Sequence, residues 1–361
     1  MESNFWKDDI DVVKVLVAAS MLFFCFWDVY SIFFGKVFDI IGVAILIFST
    51  VLFVEKLYVT YWELLFVGFI LIFAIIGFFL GGVTASIAVV MGCFTFTICR
   101  GLRFRRNVKY NILLFLLMFI IVCQFFQFFY FKIFNTSIIF YPLEWFNPPR
   151  NYDGLFFRAS GFMAEGNALA STVILIFLGI VSNRKPTIAL VILVCFSLLI
   201  SKSVFGIIMV PIILLLSGTF SMRQLLLVAI LFVPLVIYKF DFSIVVNRLE
   251  NFGNDPSFNA RLGLESIPKH YWNLLIPNGF STEPDDVIAV NGWVFLLDAL
   301  GVFIIPLILI TKKILNIRTL LLLLFLFVSY QMLTMQIFWA VIGLCNFDRC
   351  ENVRSPQSAF I

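Results

Sequence analysis

Long apolar runs follow one another almost without pause along this chain, separated by short breaks that carry charge, Gly or Pro. A helix needs roughly 20 apolar residues to cross the ~30 Å hydrocarbon layer of a bilayer. Runs of about that length predict spans near 12–34, 37–54, 62–80, 83–99, 110–131, 167–182, 187–201, 204–217, 224–239, 292–311 and 319–342. The count is about eleven, with ten to twelve as the range given the ordinary spread in span length. Gly81-Gly82 allows the third and fourth runs to be one bent hairpin, and the last run has room for a short twelfth helix. The expected fold is an all-α polytopic integral membrane protein, a single membrane domain over 1–361.

Composition removes the soluble alternatives. The chain is 62% hydrophobic and 13% charged with mean hydropathy +1.07, where soluble domains carry roughly a quarter charged residues. Lys and Arg in short loops stay cytoplasmic, and the richest such loop is Arg100 to Arg106, extended by Lys109. Placing it inside also places Lys7, Lys56, Arg184, Lys185, Arg223, Lys312, Lys313 and Arg318 inside, leaving Lys36 and Lys202 on short outer loops. The N-terminus is then inside, and two long loops, 132–166 and 240–291, are outside. The net charge of +4 follows this inner bias, so it points to topology and anionic inner-leaflet lipids, not to nucleic acid. Met1 to Asp11 is polar and the run after it exceeds a signal peptide's short core, so no processing is expected. The seven Cys fall mostly inside spans, as small apolar side chains with no disulfide or metal spacing.

The unusual polar chemistry collects in the two long loops. The first holds Asn147-Pro148-Pro149-Arg150-Asn151-Tyr152-Asp153-Gly154, a stretch that cannot continue a helix, and then Arg158 at the mouth of the next apolar run. The second holds Arg248, Asn254-Asp255-Pro256, Arg261, Glu265, Lys269, His270 and Asn278-Gly279. Ile267, Tyr271, Trp272, Leu274, Leu275 and Ile276 suggest a short amphipathic segment on the bilayer face. Asp28, Asp39 and Glu63 lie near span ends, where solvated or interhelical roles are the ordinary ones.

Arg158-Ala159-Ser160-Gly161-Phe162-Met163-Ala164-Glu165-Gly166-Asn167 resembles the Arg-x-Ser-Gly-aromatic-x-x-Glu-Pro-Ser segment of the bacterial O-antigen and capsular polysaccharide polymerases and the related O-antigen ligases. Ser201-Lys202-Ser203 with Gly206 resembles their Ser-rich turn. Arg261, Asn278-Gly279 and Asn291 to Gly301 resemble their long closing loop and the helix entry after it. Two departures stand out: Gly166 and Asn167 replace the common Pro-Ser, and Val290-Asn291 stands where the ligase branch has a presumed base His. The single His of this chain, His270, lies earlier in the loop, which favours the polymerase branch over the ligase.

The resemblance implies a glycosyltransferase C-like membrane enzyme using polyprenyl-diphosphate-linked oligosaccharide, in the bacterial cytoplasmic membrane with its active face outward. It would polymerise repeat units of O-antigen, capsule or exopolysaccharide. Arg158 and Arg261 are the expected diphosphate clamps, because guanidinium stays ionised and binds such oxygens in a bidentate fork. The plainer roles are interfacial snorkelling or pairing with Asp153 for Arg158, and pairing with Glu265 for Arg261. Glu165, Asp255, Glu265 and His270 are the acid–base candidates, Glu165 and His270 foremost, although Glu165 could simply favour the positive end of the helix it precedes. Asn167, Arg248, Lys202 and Asp298 complete the substrate-binding set, the Arg and Lys as rim charges and Asp298 as a carboxylate just inside the next helix that needs a partner or water. No metal ligand set or cofactor is expected; the partners are the lipid-linked glycan, membrane lipids and, where polymer length is controlled, a chain-length-regulating protein. A lipid-linked oligosaccharide flippase is the competing class, and it would need charges along the middle of several spans.

Overall fold

In the computed structural model the described residues are 5–25, 32–53, 57–134, 159, 166–201, 203–221, 223–224, 277–280, 292–315 and 335–345, and every regular element among them is helical. We number the helices α1 (Phe5–Phe24), α2 (Ile32–Phe53), α3 (Tyr61–Phe79), α4 (Val83–Gly101), α5 (Arg106–Phe134), α6 (Gly166–Asn183), α7 (Ile188–Ile200), α8 (Val204–Leu216), α9 (Gly292–Leu300), α10 (Ile304–Ile314) and α11 (Gln336–Leu344). Four stretches are long and apolar enough to cross a membrane: Tyr61–Phe79, Val83–Gly101, Arg106–Phe134 and Phe295–Ile314. The broad expectation of a helical membrane protein holds at that level. The span expected at 224–239, apart from its first residue, the amphipathic stretch at 267–276 and Asp28 lie outside the described residues.

Several boundaries differ from the apolar pattern for local reasons. The first helix starts at Phe5 and ends at Phe24, seven residues before the expected start and ten before the expected end. Its early start draws the polar Lys7, Asp8 and Asp9 into the first turns, which hydropathy alone does not read. Helices α7 and α8 have 13 residues each, a rise of about 20 Å and so short of the hydrocarbon thickness. Thr187 caps α7 by accepting from the Leu190 amide at 3.3 Å, and Ser203 caps α8 by accepting from the Gly206 amide at 3.3 Å. A 3₁₀ turn at Gly301–Phe303, with Gly301 at φ 53, separates α9 from α10. Helices α3 and α4 are two antiparallel helices, joined through Gly81 at φ 103, where a residue bearing Cβ would be strained.

A polar network gathers helix ends into one face of the bundle. Thr60 and Glu63 form a capping box at the start of α3, the Thr60 amide donating to Glu63 Oε2 at 2.7 Å. The other carboxylate oxygen of Glu63 pairs with Arg100 Nε in the last turn of α4. Arg100 Nη1 donates onward to the Cys345 carbonyl at 3.1 Å, just past α11, and Asn183 Nδ2 at the end of α6 donates to the Leu344 carbonyl at 3.1 Å. Cations over rings tie in the rest: Arg103 lies 4.7 Å from Tyr58, Arg184 5.6 Å from Tyr110 and Lys313 5.9 Å from Trp62. The start of α3 and α5 and the end of α4, α6, α10 and α11 therefore share one end, and the basic residues Arg100, Arg103, Lys109, Arg184 and Lys313 come with them.

This grouping adds two things to the pattern reading. Arg100 and Lys109 were expected in a solvated loop, yet both lie in helical turns, with Lys109 only 5% exposed and Glu63 2%. Glu63 takes the interhelical role. The described part of the run expected as one span over 319–342 is α11, and it runs toward the same end as α10. Every residue of α11 is buried, and Trp339 fills the space beside Gly92 of α4, where a Cβ would collide with its indole. Gln336 opens α11 at 0% exposure, donating to the Ala88 carbonyl at 2.8 Å and accepting from Thr95 Oγ1 at 3.1 Å.

Candidate functional site

At the end of the bundle away from Arg100, Gly166 meets Ser201 where α6 and α8 begin. A Cβ on Gly166, the first residue of α6, would collide with the Ser201 carbonyl oxygen at the tip of the α7–α8 hairpin. That contact gives a steric reason for Gly at a position where the resembled family commonly has Pro. Ser201 Oγ donates to the Leu198 carbonyl at 2.6 Å and accepts from the Ser203 amide at 3.3 Å, closing the Ser-rich turn on itself. Ser201 is 0% and Ser203 4% exposed, so the tip is packed inside protein rather than held in water. Gly206 continues the interface one turn on, its Cβ position 3.2 Å from the Ala170 Cβ.

The first long loop enters this packing at Ala159. Ala159 is fully buried against Ile200, with Phe125, Phe128 and Phe131 of α5 beside them. Its carbonyl accepts from Gln124 Nε2 at 3.2 Å, and the same nitrogen donates to the Ser197 carbonyl of α7 at 2.8 Å. The Ser197 hydroxyl returns a hydrogen bond to Gln124 Oε1. The loop expected over 132–166 is thus drawn into the bundle at Ala159. Residues 125–134 of α5 continue past this junction, a further rise of about 15 Å.

The second long loop is anchored separately. The Asn278 amide donates to the Asp298 carbonyl at 3.3 Å, and Asn278 Nδ2 approaches Asp298 Oδ1 at 3.5 Å. Asp298 is 6% exposed, and this loop contact supplies the partner that a carboxylate inside a helix requires. Phe280 then docks on the α3–α4 hairpin, its amide donating to the Phe73 carbonyl at 3.4 Å and its carbonyl accepting from Ser86 Oγ at 3.3 Å. Gly77 and Gly279 face each other backbone to backbone, a Cβ on Gly279 coming 2.9 Å from the Gly77 Cα, and Gly279 has φ +60. The Phe280 and Phe295 rings lie 5.6 Å apart, tilted by 31°.

Of the residues chosen from sequence, Asp298 and the backbone of Asn167, in the first turn of α6, are described; Arg158, Glu165, Lys202, Arg248, Arg261 and His270 lie outside the described residues. The residues that sequence reasoning passed over are Gln124, Ser197 and Gln127. Gln124 and Gln127 are 0% and 4% exposed. Their signal was present: two carboxamides three residues apart on one face of an otherwise apolar run, in a setting where a polar side chain is a site hypothesis by default. Comparison of the chain with family models, curated proteins and solved structures gives no match.

Proposed function

We propose that the chain polymerises polyprenyl-diphosphate-linked oligosaccharide repeats, with about eleven spans by the length criterion in a bacterial cytoplasmic membrane and both long loops on its outer face. The observation that supports this best is the meeting of Gly166 and Ser201, because two motif pieces far apart in sequence pack against each other at the end opposite the basic helix termini. The Asn278–Asp298 contact supports it further by joining two parts of the third piece.

In this reading the acceptor sugar hydroxyl attacks the anomeric carbon of the donor. The new glycosidic C–O bond forms as the bond from that carbon to the phosphate oxygen breaks, and the electron pair leaves with the polyprenyl diphosphate. Arg158 and Arg261 stabilise the departing charge with paired N–H donors. Glu165 or His270 takes the hydroxyl proton. Arg248, Lys202, Asn167 and Asp298 hold the substrates, and no nucleotide sugar enters.

The test is reconstitution. Purified protein given polyprenyl-diphosphate-linked repeats should lengthen the glycan and release polyprenyl diphosphate, with a chelator present and without nucleotide sugar. Movement of the lipid-linked substrate across vesicles with no lengthening would refute the proposal and put the chain among flippases. Transfer only onto a non-polyprenyl final acceptor would make it a ligase.

A further inference from the structure

We propose that Gln124, together with Ser197, is a positioning residue that anchors the first long loop at Ala159, and that elongation depends on this anchor. The catalytic half of this inference rests on the polymerase reading above; the anchoring half does not.

The physical basis begins with cost. A carboxamide wholly removed from solvent in an apolar helix is unfavourable unless its donors and acceptor are engaged. Gln124 is 0% exposed, and both directions of its amide are in use: Nε2 reaches the Ala159 and Ser197 carbonyls at 3.2 and 2.8 Å, and Oε1 accepts the Ser197 hydroxyl. Joining α5 to α7 needs only the two bonds with Ser197. The remaining donor goes to the backbone of a loop residue that belongs to no helix, and Leu at 124 would pack the same helices without making that bond. Ala159 is likewise chosen for fit, a small side chain at 0% exposure among Ile200, Phe125, Phe128 and Phe131.

Ala159 follows Arg158 directly in the chain, so the anchor lies next in sequence to the residue that the polymerase reading assigns to the departing charge. Charge-stabilising donors lose effect steeply with displacement, on the order of 100-fold in rate for about 1 Å. Neutral hydrogen bonds are well suited here, because they fix a backbone without adding charge.

The experiment compares wild type with Gln124→Leu, Ser197→Ala and Ser197→Thr by two readouts. The first is hydrogen–deuterium exchange of the peptide spanning residues 156–166 in detergent. Gln124→Leu should raise exchange there while leaving the α3–α4 hairpin as in wild type. The second is elongation per folded protein, where Gln124→Leu should lower kcat by about tenfold to 100-fold with KM within about twofold. A merely structural role would lower the folded amount and leave kcat per folded molecule alone. Ser197→Thr keeps the hydroxyl and should restore both readouts, and Ser197→Ala should fall between.

Unchanged exchange with unchanged kcat in Gln124→Leu overturns the proposal. If Gln124→Leu is not recovered folded, Ser197→Ala decides by the same pair of measurements, no change in either being the refuting result. Wild-type protein that does not elongate at all refutes the polymerase reading and with it the catalytic half, while the exchange comparison still decides whether Gln124 anchors the loop.

Discussion

Removing the Glu63 carboxylate should destabilise the bundle through a named chain of losses. The Glu63 side chain is 3% exposed and that of Arg100 17%, so Glu63→Leu leaves a largely buried guanidinium without its counter-ion. Breaking a buried pair at one partner costs about 3–5 kcal/mol. Arg100 keeps the Cys345 carbonyl as an acceptor at 3.1 Å and a fraction of its surface in solvent, which places this case near about 3 kcal/mol on the same scale. The reciprocal half of the capping box disappears as well, adding about 1 kcal/mol. Arg100→Met should cost about 3 kcal/mol by the same reasoning, since it strands the carboxylate. The double variant replaces both charges by apolar groups and should be no worse than either single change, because an apolar pair of similar volume is close to neutral. The assay is reversible unfolding in mixed micelles, read as a double-mutant cycle, with the thermal midpoint in detergent as a second measure. A coupling of at least about 4 kcal/mol is expected, the two single costs less that of the double variant; single-variant costs that add to within about 0.5 kcal/mol would show that the two groups do not depend on each other and sink the argument.

Three further outcomes follow from the geometry. Gly166→Ala should destabilise by about 1–3 kcal/mol, because the Ser201 carbonyl is backbone and cannot swing aside, whereas Gly68→Ala, with nothing within 4 Å of the added Cβ, should be neutral or stabilising by up to about 1 kcal/mol; equal thermal midpoints for the two variants would contradict the packing described. Impermeant thiol reagents applied to intact cells should modify a Cys introduced at Asn254 and spare one at Asn107, and the reverse pattern would invert the proposed orientation. Arg158→Ala and Arg261→Ala should each abolish polymer at near-normal protein level, with Arg261→Lys recovering only part because an ammonium lacks the fork and Arg150→Ala milder than either; normal glycan ladders in both alanine variants would remove these residues from the site.

What could be read from sequence was whatever depends on one helix at a time. Apolar runs located α3 to α6 within a few residues, and the Lys/Arg bias foretold that Arg100, Arg184 and Lys313 would share an end. What could not be read depends on a partner far along the chain. Glu63 could be read as solvated or interhelical but its partner could not be named, because Arg100 stands 37 residues away. Gln124 was passed over because its meaning lies in Ala159 and Ser197, one in a loop and one in another helix. The break at Gly301 and the direction of α11 are equally invisible to hydropathy, since apolar residues continue across both. Of the candidate site, Asp298 was expected to need a partner or water, and Asn278, which lies 3.5 Å from its carboxylate, was noted as part of a motif and not as a partner.

The docking of Pro277–Phe280 on Gly77 also bears on how the protein can be engineered. A loop pinned at one internal point closes as two shorter loops rather than one, and closure entropy grows only with the logarithm of length, about 0.6 kcal/mol for each doubling. Extra sequence inserted upstream of the pin, near Asp255, therefore burdens only the first of those two loops. The Asn278–Asp298 contact and the entry to α9 are held by the pin itself, through Phe73, Gly77 and Ser86. A small reporter domain carried at that insertion point should consequently be accepted without disturbing the helix that follows the pin.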